Sequence, residues 1–354
     1  MPSTFVMAGG GTGGHVIPAL AVARELRNRA HDVRFIGTRR GIEAKLVPAE
    51  NFPLDYIEIG GLKRVGLRQT IATLAELPWS VWQAARLLDR AGAAAVFSMG
   101  GYVAGPVLFA ALWKRVPVVV MEPNAMPGFT HRRVARFVSR ALVSFEETVR
   151  WFPKGRTEIT GLPVREEFFT LKAKPREEML TVLITGGSQG SRTLNRAAIE
   201  MFPLLKSADV YLIHQTGPQA YEEIAAKFHQ AGVCGEVSAF LIDMPGAFAR
   251  ADLVIGRSGA GAVSELAAAG KPSILVPLPT AADQHQLRNA EVFEKWGAAR
   301  LIQDSEATGA RLMEEIRKMA APGVLERMSA AAKSLARPGA AARAAEAMES
   351  FLAR

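Results

Sequence analysis

Cysteine is nearly missing from this chain: Cys234 is the only one in 354 residues. That excludes an internal disulfide and an all-cysteine zinc site, and it fits a reducing compartment. Metal-ligand patterns are missing too. There is no Asp-x-Asp, and the six histidines form no cluster with carboxylates at ligand spacing. No low-complexity tract or short-period repeat occurs. The N-terminus lacks the basic region and long apolar stretch of a secretory signal and enters a strand almost at once. One uncharged run, 91–113, is long enough to span a bilayer. Gly100-Gly101 and Gly105-Pro106 cut its middle, so it reads as a buried strand (94–98), a glycine loop and a buried helix (106–114).

What is present suits a globular α/β protein of two domains. Hydrophobic residues make up 49% and charged residues 22%, and the length allows two cores. The net charge of +9 is unevenly placed. Residues 1–163 carry 21 Lys+Arg against 12 Asp+Glu, whereas 164–354 carry 22 of each. The first half should therefore be drawn to something anionic: a membrane surface, a pyrophosphate or a nucleic acid. An incidental solubility charge is the plainer reading.

Apolar strands alternate with helical patterns in both halves. Strands are expected at 4–8, 33–36, 94–98, 116–121, 141–144 and 158–160, then at 181–185, 210–214, 237–241, 253–255 and 273–276. A helix is expected over 18–29. Strands separated by helices imply right-handed crossovers and parallel sheets, with ligands beyond the strands' carboxyl ends. The expected organisation is a domain over 1–163, a second over 164–337, and a last helix, 338–354, packing back on the first. Residues 165–179 read as a connector. Two such sheets facing each other would make an inter-domain cleft.

Each half opens with strand, glycine loop, helix. The first loop is Gly9-Gly10-Gly11-Thr12-Gly13-Gly14-His15; the second is Gly186-Gly187-Ser188-Gln189-Gly190-Ser191. Such loops bring main-chain N–H groups to a phosphate, and the helix start adds favourable dipole. Gly9, Gly11 and Gly14 also satisfy G-x-G-x-x-G, a dinucleotide signal that is weak alone. The second strand ends Thr38-Arg39-Arg40 without the carboxylate an NAD site expects, though the arginines could suit a 2′-phosphate. A nicotinamide reductase would leave the second loop unexplained. In the second half, Arg257-Ser258-Gly259-Ala260-Gly261-Ala262-Val263-Ser264-Glu265 puts small residues at a helix start with a carboxylate one turn in. A phosphate can sit on the N–H groups while Glu265 bonds hydroxyls; otherwise Glu265 merely favours the positive helix end. Asp283-Gln284-His285-Gln286 suits hydroxyl recognition, or is a solvated loop.

Gly10-Gly11-Thr12-Gly13-Gly14-His15, Met99-Gly100-Gly101-Tyr102, Glu122-Pro123-Asn124, Gly186-Gly187-Ser188-Gln189-Gly190, Arg257-Ser258-Gly259-Ala260 and His285-Gln286 occur in this order. Together they resemble the peripheral membrane N-acetylglucosaminyltransferases of bacterial peptidoglycan synthesis, over essentially the whole chain. The resemblance implies the GT-B fold of two Rossmann-like domains. It implies an N-terminal domain for the lipid-linked acceptor, undecaprenyl-pyrophosphoryl-MurNAc-pentapeptide (lipid I), and a C-terminal domain for UDP-GlcNAc. It further implies no required cofactor, no nucleic-acid partner, and a place on the cytoplasmic face of the plasma membrane beside the cell-wall synthesis machinery.

Carried over motif by motif, donor contacts fall on Thr12, Gly13, Gly14, Asn124, Arg165, Ser188, Gln189, Leu241, Ala260, Gly261, Ala262, Val263, Ser264, Glu265, His285 and Gln286. Of these, Leu241 is implied at the uracil, Glu265 at the ribose, and Asn124 and Gln286 at the sugar. Acceptor pyrophosphate contacts fall on Gly11, Gly14, His15, Gly100, Gly101 and Tyr102. Two departures stand out: Gly261-Ala262 replaces a larger apolar residue and a threonine, and Pro123 stands where glutamine is common. His15 is the candidate general base, since imidazole titrates near neutrality; orienting the loop is its alternative role. Glu122 is the alternative base. Ile71, Leu74, Trp79 and Trp82, with Lys63, Arg64 and Arg68 upstream, and Trp113 beside Lys114, pair tryptophan with cations as a membrane-contact face does; core packing is the alternative. Other GT-B enzymes, a glycolipid glycosyltransferase or a UDP-GlcNAc epimerase, are the competing functions, and a non-catalytic pyrophosphate-lipid binder is the third class.

Overall fold

The structure, a computed structural model, describes residues 2–59, 67–172, 179–205 and 209–352, with backbone alone for 67–75. The chain divides into two compact units, Met1–Pro163 with Gly339–Arg354, and Val164–Pro338.

Unit 1 begins β1 (Thr4–Gly9), α1 (Gly13–Asn28), β2 (Asp32–Gly37), α2 (Glu43–Ala49), β3 (Leu54–Tyr56) and α3 (Leu67–Ala91). It continues β4 (Ala93–Gly100), α4 (Ala104–Trp113), β5 (Val118–Glu122), α5 (Phe129–Val134), β6 (Arg140–Val143) and β7 (Thr157–Ile159). Unit 2 begins β8 (Leu180–Thr185), α6 (Arg192–Leu205), β9 (Val210–Gln215), α7 (Tyr221–Ala231), β10 (Gly235–Ser238), α8 (Met244–Arg250) and β11 (Leu253–Gly256). Then come α9 (Ala260–Ala269), β12 (Ser273–Leu275), α10 (His285–Lys295), β13 (Ala299–Leu301), α11 (Gly309–Met319) and α12 (Val324–Ser334). The last helix, α13 (Ala340–Glu349), returns to unit 1, where Glu349 pairs with Arg29 at 2.8 Å and Arg343 with Glu158.

Among the described residues, both sheets are parallel, in the orders β3-β2-β1-β4-β5-β6-β7 and β10-β9-β8-β11-β12-β13. Strand order reverses between β1 and β4 in unit 1 and between β8 and β11 in unit 2. Those are the switch points at which doubly wound sheets open a crevice beyond the strands' carboxyl ends. The central strands are buried on both faces, which is why they read as continuous apolar runs. Met7 stands opposite Phe35 on one side and Phe97 on the other, and all three are fully buried. Burying each such side chain contributes about 1.5–3 kcal/mol.

Four local expectations change. Helix α1 starts at Gly13, a turn before residue 18. Pro18 reads as a helix start, but inside the helix it removes only its own bond to the Gly14 carbonyl. The strand expected over 237–241 is β10, so Leu241 falls in the following loop. Two short strands, β3 and β13, carry too little pattern to be read. The 165–179 connector opens with a 3-10 turn, Glu166–Phe168, whose buried Phe168 packs edge-on to Phe248 at 5.0 Å. The uncharged 91–113 run is β4, a glycine turn and α4, and among the described residues no helix is long and apolar enough to cross a membrane.

Candidate active site

In unit 1 the first glycine loop leaves β1 and the Gly100-Gly101-Tyr102 loop leaves β4, so they flank the switch point. They touch: a Cβ on Gly101 would sit 3.0 Å from the Gly10 carbonyl and 3.3 Å from His15 Nδ1. Gly101 also has φ +85°, so glycine satisfies both demands there. Thr12 is the extended N-cap of α1 without a side-chain cap, so the amides of Gly13 and Gly14 open the helix with no intrahelical partner. A helix start of this kind can seat an anion.

His15, third residue of α1, is half-buried. Its Nδ1 lies 3.3 Å from the Gly10 carbonyl and 3.1 Å from Thr12 Oγ1. A carbonyl only accepts, so in the neutral tautomer that bonds Gly10 the proton is on Nδ1 and the lone pair on Nε2. Gly11 departs from the expectation. Its N–H donates to Glu43 Oε2 at 2.8 Å and is therefore spent inside the protein.

Glu122, at the end of β5, is also differently employed. It is 2% exposed and accepts from His131 Nδ1 at 2.9 Å, Gly128 N at 3.0 Å, and the backbone and side-chain nitrogens of Asn124. Burial raises its carboxyl pKa, but the His131 bond and charge, with the Gly128 and Asn124 amides, outweigh this and hold it below the ordinary carboxylate range. Enclosed and fully bonded, this carboxylate braces the 122–128 loop. Beyond it, His131 Nε2 faces Ser98 Oγ at 3.4 Å, and Ser98 Oγ accepts from the Gly100 amide at 3.0 Å.

Elsewhere in unit 1, Trp79 is 51% exposed, Trp82 40% and Trp113 67%. Core packing is thus excluded for these three. Trp79 and Trp82 stack at 4.6 Å on α3, and Arg86 lies 4.9 Å over the Trp82 ring. The side chains of Ile71, Leu74 and Arg68, and all of Lys63 and Arg64, lie outside the described residues.

In unit 2 the second glycine loop leaves β8 and the 257–259 loop leaves β11, again flanking the switch point. Ser188 and Gln189 are exposed. Gln215, buried at the end of β9, donates to the Gly187 carbonyl at 2.8 Å and to Thr185 Oγ1 at 3.3 Å. Its Oε1 accepts from the Leu241 amide at 2.9 Å. One amide group thus holds both the glycine loop and the segment of Leu241. Behind it, His214 Nε2 bonds Asn195 Oδ1 at 3.1 Å, and burial pulls the His214 pKa down to about 4.

Gly259 caps α9 in extended conformation without a side-chain bond, leaving the amides of Ala260, Gly261 and Ala262 outside the helix ladder. Gly261 is exposed, Ala262 and Ser264 half-buried, and Val263 buried. Glu265 keeps some exposed surface, yet its carboxyl is poorly hydrated. Burial pushes its pKa up to about 7 against the opposing charge of Arg165. The Arg165 guanidinium is exposed and stacks 5.0 Å over Phe168. Gln286 and His285 open α10. Gln286 Oε1 accepts from the Leu278 amide at 3.0 Å, its carbonyl accepts from Ser258 Oγ at 2.8 Å, and His285 Nδ1 donates to the Ala282 carbonyl at 2.7 Å. Asp283 and Gln284 just before them both have φ +53°, a costly conformation for side-chain-bearing residues and one found at ligand-binding turns. Arg257 is framework: it pairs with Asp304 and donates to the Val276 carbonyl.

Sequence reasoning missed Glu43, Gln215 and His131. Gln215 had a signal, a polar end to an otherwise apolar strand. Glu43 reads as an ordinary first-turn carboxylate, and His131 as one polar residue in a basic stretch. Among the described residues no group of three or more His, Cys, Asp or Glu is placed to hold a metal ion.

Two family models match in succession, the glycosyltransferase family 28 N-terminal domain over residues 5–143 and its C-terminal domain over 181–348. The chain belongs to glycosyltransferase family 28. Within this family it is 60% identical to the UDP-N-acetylglucosamine–N-acetylmuramyl-(pentapeptide) pyrophosphoryl-undecaprenol N-acetylglucosamine transferase of Solibacter usitatus, covering 98% of this chain and 96% of that one. It is 41% identical to the transferase of the same name from Azotobacter vinelandii, covering 96% of each. The crystal structure of Acinetobacter baumannii MurG superposes with a TM-score of 0.83 at 32% identity, covering 99% of this chain and all of that one. Family 28 membership and this superposition identify both units as parts of a GT-B glycosyltransferase.

Proposed function

We propose that this chain moves GlcNAc from UDP-GlcNAc to the 4-hydroxyl of MurNAc in lipid I, with inversion at the anomeric carbon, giving lipid II for peptidoglycan. The observation that carries this reading is that each unit presents an uncapped, glycine-led helix start at its switch point, α1 in one and α9 in the other. One serves the acceptor pyrophosphate and the other the diphosphate of the donor. Whole-length similarity to the transferases named above supports it.

The reaction needs a positioned hydroxyl that loses a proton and a departing UDP whose charge is met. His15 is the base: the Gly10 carbonyl keeps the proton on Nδ1, so Nε2 receives the one from the 4-hydroxyl. The Gly13 and Gly14 amides, with the Gly100-Gly101-Tyr102 loop, hold the acceptor pyrophosphate, and Thr12 and Asn124 approach the sugar. Departing charge is met by the Ser188-Gln189 loop, the amides from Ala260 to Ala262, and Arg165. Glu265 holds ribose hydroxyls, Leu241 packs on uracil, and His285 and Gln286 face the GlcNAc. No metal is assigned a role, since the charge has preorganised donors. The exposed Trp79, Trp82 and Trp113, in the basic half of the chain, rest on the anionic cytoplasmic face of the plasma membrane.

The test is the product. The purified chain, given UDP-GlcNAc and a lipid I analogue, should yield an acceptor heavier by one GlcNAc in β-1,4 linkage, read by mass and NMR. Unchanged acceptor with epimerised or hydrolysed UDP-GlcNAc would contradict the reading.

A further inference from the structure

Glu43 is the least expected charge in unit 1. It opens α2, it is fully buried, and among the described residues no cation pairs with it. An unpaired buried carboxylate is costly unless donors surround it. Here Oε2 accepts from the Gly11 amide at 2.8 Å, and Oε1 accepts from the amide and the hydroxyl of Thr38, each at 2.9 Å. The Thr38 hydroxyl gives its proton to Glu43, so at 3.4 Å it is Tyr102 that donates to Thr38 Oγ1. The seat is fitted to Glu43: a Cβ on Gly10, Gly37 or Gly41 would lie within 2.7 Å of its side chain.

Three loops leave adjacent strands here, after β1, β2 and β4, and this carboxylate touches or reaches all three. Its effect on the first is specific. It spends the Gly11 amide and places a negative charge beneath that end of the loop. An anion is thereby refused at Gly11 and left to the Gly13 and Gly14 amides beside His15. We infer that Glu43 is a positioning residue that sets where the acceptor's diphosphate sits, and so brings the sugar hydroxyl to His15. The inference rests on the acceptor assignment above.

The experiment uses the full chain with Glu43→Gln. Glutamine has one oxygen and an NH2, so it cannot accept from both Thr38 and Gly11, and the Gly11 amide is released. The lipid I analogue KM should rise about tenfold or more, with the UDP-GlcNAc KM and UDP affinity within about twofold of wild type. Amide exchange at Gly11 should lose protection. A merely structural role would instead lower kcat with the folded fraction and leave both KM values alone, and that result overturns the inference. An equal loss of UDP affinity also overturns it, as does an unaltered Gly11 exchange rate. If the wild-type chain transferred nothing to the analogue, the function reading would fall, while Gly11 exchange would still decide whether Glu43 fixes the loop.

Discussion

A carboxylate fastens the first glycine loop of unit 1, and an amide fastens that of unit 2. Glu43 takes the Gly11 N–H, whereas Gln215 takes the Gly187 carbonyl and leaves the exposed loop beyond it unburdened. The two loops hold the same place in the same topology, after the first strand and beside the switch point. On the proposed assignment of acceptor to unit 1 and donor to unit 2, the difference in chemistry follows the tasks. A leaving diphosphate gains charge during reaction and needs every preorganised donor it can get. An acceptor diphosphate keeps its charge and needs only to be placed. The charge split of the sequence runs alongside, with all of the +9 in residues 1–163.

The comparison predicts separable losses. The largest belongs to His15. His15→Ala should lower kcat by about 10²–10⁴-fold at saturating substrates while UDP affinity holds. Normal turnover would remove it as the base. Gln215→Ala comes next: freeing both Gly187 and Leu241 should weaken UDP binding, measured by calorimetry, about tenfold, with the acceptor KM little moved. Equal damage to both substrates would erase the distinction between the loops.

A Trp79→Ser/Trp82→Ser variant should lose about fivefold in binding to anionic vesicles while binding UDP as before. Unchanged vesicle binding would refute the membrane face. The smallest effect concerns Glu265. An ionised carboxylate accepts from ribose hydroxyls, and its pKa lies at about 7. UDP affinity should therefore fall as pH drops through that value, about threefold between pH 8 and pH 6. Glu265→Gln should bind more weakly and show no such step. A wild-type profile flat over that range would separate Glu265 from the donor.

Fold was legible because its signals are local. Apolar runs such as 4–8 and 181–185 must be doubly covered strands, and glycines after them mark strand-to-helix turns. The three-residue strands β3 and β13 were not legible, since edge pairing there rests on backbone bonds more than on side-chain pattern. A helix after each glycine loop follows from the same local signals, but Pro18 put the start of the first at 18 and not at Gly13. What could not be read were the groups behind the loops. Glu43 meets Gly11 across 32 residues, Gln215 meets Leu241 across 26, and His131 meets Glu122 across nine. Such partnerships depend on which strands lie side by side, and no spacing in the chain announces them. Glu122 shows the reverse: a carboxylate that looks reactive in sequence is enclosed by its own loop.

The most direct measurement follows radiolabel from UDP-GlcNAc into the lipid fraction with a lipid I analogue, with and without EDTA. Transfer that survives EDTA is the predicted result, with the departing diphosphate met by loop amides and Arg165. Transfer abolished by EDTA and restored by magnesium would contradict that account of the leaving group.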